Sequence, residues 1–120
     1  MYQVRFYKDK NGNQPALEYL QTLKKGKDKD SQIRARKMQE YINMLQEFGT
    51  FIGEPVVKHI EGDIWELRPA RDRVLFVAWH NNGYVLLHCF EKHTPKTPEQ
   101  EKKRARAEYA DLKEGGLRDG

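Results

Sequence analysis

The sequence predicts a single compact α+β domain with a mainly antiparallel sheet, two N-terminal helices and one C-terminal helix. Helical periodicity is confined to two stretches before Gly49 and one after Thr97. Between them lie four short runs rich in branched and aromatic residues, broken by Glu61-Gly62-Asp63, Pro69–Asp72 and Asn82-Gly83. Short breaks join antiparallel neighbours, so these runs form a meander. A chain of 120 residues suits one domain that buries well over half of its surface. Residues 1–114 are expected to form it, with 115–120 as a flexible tail.

Tyr2 to Tyr7 alternates as a strand, with Tyr2, Val4 and Phe6 on one face. Lys8 to Gly12 breaks it. Asn13 as cap and Pro15 in the first turn open a helix with Leu17, Leu20 and Leu23 inward. After a charged turn around Gly26, Ser31 is expected to cap a long helix ending near Gly49. Its stripe is Ile33, Met38, Tyr41, Ile42, Leu45 and Phe48. Arg34, Arg36, Lys37 and Glu40 read as its solvated face. Strands are expected at Val56–Ile60, Ile64–Arg68, Arg73–His80 and Tyr84–Lys92. RVLFVAW and YVLLHCF are apolar on both faces, so those two should be central. Asn82-Gly83 has the chemistry of a tight turn with positive φ. Thr97, Pro98 and Gln100 form a capping-box start to a last helix. Ala105, Tyr109 and Leu112 point inward, and Lys102, Lys103, Arg104 and Arg106 point outward.

Charged residues make up 33% and hydrophobic ones 38%, a mixture suited to water. A net charge of +4 favours an anionic partner without naming one. The lone Cys89 permits no internal disulfide, which suits a reducing cytoplasm, and its LLHCF context makes it a core residue. The N-terminus reads neither as signal peptide nor anchor. No apolar run approaches the roughly 20 residues of a membrane helix.

The segment Ile64 to Pro98 carries the chemistry. Strand alternation puts Glu66 and Arg68 on one face. Arg73 opens the next strand, and Lys92 and His93 end the strand after it, so a cationic edge should gather Glu66, Arg68, Arg73, Lys92 and His93. Arginine forks match phosphate oxygens and strengthen as charge builds in the transition state. Histidine, lysine or glutamate can move the protons. RNA supplies its own nucleophile in the 2′-hydroxyl, so neither metal nor cofactor is expected. His59, His80 and His88 lack metal-ligand spacing and read as structural; Trp65 and Trp79 read as core anchors.

The run WELRP…RVLF…YVLLHCFEKHTPKTP with a basic helix after it resembles the RelE/ParE toxin superfamily. Its HigB-like, phage-related branch is the nearest in appearance. The resemblance spans residues 2 to 112. Its most specific parts are L-R-x-x-x-x-R from Leu67, F-x-K from Phe90 and K-T-P from Lys96. It implies a microbial-RNase-like fold and a toxin of a type II toxin–antitoxin system. Such toxins are ribosome-dependent mRNA endonucleases that cut through 2′-hydroxyl attack and leave a cyclic phosphate. The implied partners are mRNA on the ribosome and a HigA-like helix-turn-helix antitoxin, in a heterotetrameric complex. Carried over by position, Arg73 matches the most consistent catalytic arginine and Arg68 its upstream basic neighbour. Glu66 stands where lysine is common, His93 where arginine is common, and Lys92 matches the adjoining base. Tyr109 is no secure match for the tyrosine some members carry in the last helix. Lys58, Arg71, Lys96, Lys102, Lys103 and Arg106 are the candidates for contacts to the RNA backbone. Two other readings stay open: a ParE-like DNA gyrase inhibitor, and a non-catalytic module that binds RNA or a partner.

Overall fold

The computed structural model describes residues 1–118. Its elements are β1 (Gln3–Phe6), α1 (Pro15–Lys25), α2 (Lys29–Phe48), a 3-10 turn (Gly49–Ile52), β2 (Val57–Glu61), β3 (Ile64–Leu67), β4 (Asp72–Trp79), β5 (Gly83–Glu91) and α3 (Glu99–Gly115). The five strands form one sheet in the order β1-β5-β4-β3-β2. β1 runs parallel to β5 and every other pair is antiparallel, so the expected α+β class is the one observed.

Both faces of the sheet are covered. On one, Leu20 of α1 and Met38, Ile42 and Leu45 of α2 pack on Val74, Phe76, Leu86 and Cys89. On the other, Ala105 and Leu112 of α3 pack on Leu75, Val77, Val85 and Leu87. A strand apolar on both sides can only sit in the middle of such a sandwich, as β4 and β5 do. Val4 and Phe6 of β1 lie against the α1–α2 side, as their alternation required.

β5 does not alternate throughout. Leu75 pairs with His88 and Phe76 with Leu86, which leaves Leu87 as the extra residue of a bulge. The bulge turns Leu87 and His88 to the same face, toward α3. His88 is fully buried there. Its Nδ1 lies 2.6 Å from a Glu108 carboxylate oxygen and its Nε2 3.0 Å from Glu101. The histidine is thus a structural group, as expected, but one that holds a helix.

Several local expectations are corrected. Asn13 does not cap α1. Its backbone N–H is taken by Asp9, and Glu18 reaches back to the N–H of Gln14, so a helical carboxylate does the capping. Ala16 replaces Leu17 among the buried residues of α1. α2 starts two residues before Ser31, with Asp28 accepting from the Ser31 N–H. Ile33 and Phe48 are exposed, because the buried stripe runs Ala35, Met38, Ile42, Leu45. The β4–β5 turn has its positive φ at His80, at 59°, not at Asn82-Gly83; Gly83 already pairs with Trp79. α3 starts at Glu99 without a side-chain cap. It extends through Gly115, and Arg118 folds back to pair with Asp111. Residues 119 and 120 of the expected tail lie outside the described residues.

Candidate active site

Antiparallel pairing brings the end of β3, the start of β4 and the end of β5 to one end of the sheet. Glu66, Arg68, Arg73, Phe90, Lys92 and His93 line a single pocket there, together with Thr94 to Pro98. The five residues read as one cationic edge are therefore together.

The edge is deep. Arg73 is only 7% exposed, and Glu66 is 3% exposed. The cause lies in the link between β3 and β4. Ala70 adopts a φ of 52°, and the chain curls so that its carbonyl meets Arg73. Arg73 Nη1 donates to the carbonyls of Ala70 at 2.9 Å and Asp72 at 2.8 Å. The guanidinium is aimed by backbone rather than by a carboxylate.

Glu66 lies between the two arginines but closes on neither. Its Oε1 is 3.6 Å from Arg68 Nε and 3.9 Å from Arg73 Nε. Arg68 Nε is buried and has no hydrogen-bond partner. Glu66 Oε2 accepts from the Thr97 hydroxyl at 2.8 Å. Thr97 was read as a helix cap; it orients a buried carboxylate instead. Burial, then the adjacent Arg68 charge, push the Arg73 guanidinium below its ordinary pKa. One buried carboxylate thus faces two guanidiniums, one of them with an idle donor. An entering phosphate oxygen would supply the missing negative charge and the missing acceptor.

The expected RNA-backbone residues divide into three groups. Lys58, Lys96 and Lys102 line a depression that shares Glu66, Arg68 and Thr97 with the first pocket, so they extend it. Arg71 and Arg106 are held by carboxylates. Arg71 pairs with Asp30 and Glu91, and Arg106 with Glu61 and Glu99 at 2.6 Å each. Lys103 is exposed on α3, outside both depressions.

A buried cluster behind the pocket was missed from sequence. Asp72 is fully buried, and Arg34 holds it with two hydrogen bonds, from Nε at 3.0 Å and Nη2 at 2.6 Å. The Tyr19 hydroxyl adds a third at 2.6 Å. Burial and that bond to Asp72 raise the Tyr19 pKa well above its ordinary value. Arg34 also lies 3.6 Å from Glu91, next to Lys92. Helices α1 and α2 thereby fix the two strand ends that carry Arg73 and Lys92. Arg34 sat among cations read as a solvated face, and only the acid at Asp72, beside a strand start, hinted otherwise.

Cys89 is buried, and burial raises its thiol pKa, which removes it as a nucleophile. Among the described residues no helix is long and apolar enough to cross a membrane. No curated protein matches the chain. Residues 18–110 match the family described as Phage derived protein Gp49-like (DUF891). That match covers most of the chain and includes every residue of the pocket. The chain belongs to the Gp49-like family, part of the RelE/HigB-type toxin superfamily and associated with the toxins of toxin–antitoxin systems.

Proposed function

We propose that this protein is a toxin of the HigB-like type that cuts mRNA on the ribosome, with an antitoxin as its natural inhibitor. The observation that carries the proposal is the pair of arginines around one buried carboxylate, with Arg68 Nε unpartnered. A purely protein-binding toxin has no need of converging phosphate ligands at the end of a sheet.

Each side chain then has a role. Arg73 and Arg68 bind the scissile phosphate and stabilise the charge that grows on its equatorial oxygens. Glu66 Oε1, left available because Thr97 occupies Oε2, takes the proton from the ribose 2′-hydroxyl. The 2′-oxygen forms a bond to phosphorus as the bond to the 5′-oxygen breaks. That leaving oxygen takes a proton from His93 or Lys92, both exposed at the pocket rim. The products are a 2′,3′-cyclic phosphate and a 5′-hydroxyl. Lys58, Lys96 and Lys102 continue the phosphate path beyond the scissile bond.

Purified protein in a reconstituted translation reaction tests this. Cuts at defined positions in the mRNA, dependent on ribosomes, are expected. Intact mRNA with gyrase-linked DNA breaks would favour the ParE-like reading. Neither effect would favour a binding module.

A further inference from the structure

Charge is unevenly distributed along this chain. Between Lys24 and Lys37 there are seven lysines and arginines against two aspartates, a net charge of +5. The whole chain carries +4, so all other residues together carry −1. The basic character therefore resides in one corner, where α1 ends and α2 begins. Lys24, Lys25, Lys27, Lys29 and Arg36 are exposed there.

The needs of the fold account for only part of this corner. Lys24 and Lys25 occupy the last turn of α1, where the helix dipole favours cations. Lys27 and Lys29 flank the N-terminus of α2, where the dipole disfavours them. The corner is also fixed in space. Asp30 pairs with Arg71, and Arg34 with Asp72 and Glu91, so it stands at the pocket end of the sheet, over the opposite face.

We propose that this lysine corner is a second RNA-binding surface, one that grips the phosphate backbone of folded, double-helical RNA. Lysine is a mobile point charge suited to phosphates and carries no base-reading geometry. Between residues 24 and 37 Ile33 is the only exposed large hydrophobic residue, so the apolar anchors of a protein interface are missing. No aromatic residue occurs there to stack on single-stranded bases. Backbone phosphates alone remain as the fitting partner. The surface rests on the proposed role only in its setting beside the pocket; duplex binding needs no cleavage.

The test uses an RNA duplex of about 20 base pairs and arbitrary sequence, a length that spans two minor grooves. Binding of the full chain is followed by fluorescence anisotropy across a salt series. The triple variant Lys25→Glu, Lys27→Glu, Lys29→Glu should bind the duplex at least about tenfold more weakly. Its log affinity against log salt should flatten by about 2 to 3, one unit for each lost phosphate contact. Its denaturation midpoint should hold or rise, because two of the changes relieve the α2 dipole. Lys113→Ala, an exposed lysine in the last turn of α3, should bind the duplex like wild type. Unchanged affinity and salt slope in the triple variant would overturn the proposal. So would wild-type duplex binding combined with slower antitoxin association or lost attachment to vesicles of anionic phospholipid. A protein that cuts no RNA yet shows the expected duplex behaviour would refute the nuclease role and leave this surface standing.

Discussion

In the proposed mechanism Arg73 and Glu66 carry most of the chemistry, and each is open to a direct substitution. Arg73→Ala should lower cleavage by about a hundredfold or more, the scale of one lost transition-state donor. It should also destabilise the fold by about 1–3 kcal/mol, because two carbonyls lose their donor in a buried place. Full cleavage by a folded variant would remove Arg73 from the site. Glu66→Gln keeps an acceptor for Thr97 but cannot take a proton. It should slow the chemical step by about 10²- to 10⁴-fold with little change in RNA binding. A wild-type rate would pass the role of base to His93 or Lys92. At this scale the sequence was informative where strand alternation and turn length sufficed, which is how Glu66, Arg68, Arg73, Lys92 and His93 were grouped. It misled at Thr97, because a threonine before proline looks the same whether it caps its own helix or reaches for a carboxylate 31 residues away. It gave no sign of how deep Arg73 lies, because nothing in the text of the chain marks the positive φ of Ala70.

Helices in this protein are tied down by polar groups as much as by apolar ones. α2 is fixed to the sheet by Arg34 on Asp72, both partners being nearly or fully buried. Arg34→Met leaves an uncompensated carboxylate and should cost about 3–5 kcal/mol in urea denaturation. A loss under about 1 kcal/mol would show that the pair is not what holds Asp72. α3 buries only Ala105 and Leu112 among its apolar side chains, and adds His88 with Glu101 and Glu108. Its last turn is tied by Asp111, which accepts from Arg118 and Tyr7. Those bonds, Arg118 first, lower the Asp111 pKa from 3.8 to about 2. The folded carboxyl is the stronger acid, so its contribution is full above pH 3.8 and is lost as pH falls toward 2. Asp111→Asn should flatten that part of the stability profile; an unaltered acid limb would contradict it. The existence and order of the helices were legible from period and breaks. Their tethers were not, since Arg34 and Asp72 lie 38 residues apart and the β5 bulge breaks the alternation that would have exposed His88.

For the molecule as a whole, the sheet acts as a frame whose two covered faces leave one end free for chemistry. The α+β class followed from the placement of helical and strand periods, and the two-sided apolar runs of β4 and β5 fixed the centre of the sheet. The sequence was silent on depth: the pocket residues are held from behind by groups of α1 and α2 that share no motif with them. Membership of the Gp49-like family and a pocket with two arginines and one carboxylate both support the proposed phosphodiester chemistry, in which RNA's own hydroxyl is the nucleophile. The most direct measurement is cleavage of an mRNA, in the reconstituted translation reaction, with a single 2′-deoxynucleotide on the 5′ side of the mapped cut. Cleavage at that position should vanish while cuts elsewhere persist, and the unmodified mRNA should yield a 2′,3′-cyclic phosphate end. Undiminished cutting at the deoxy position would contradict the mechanism.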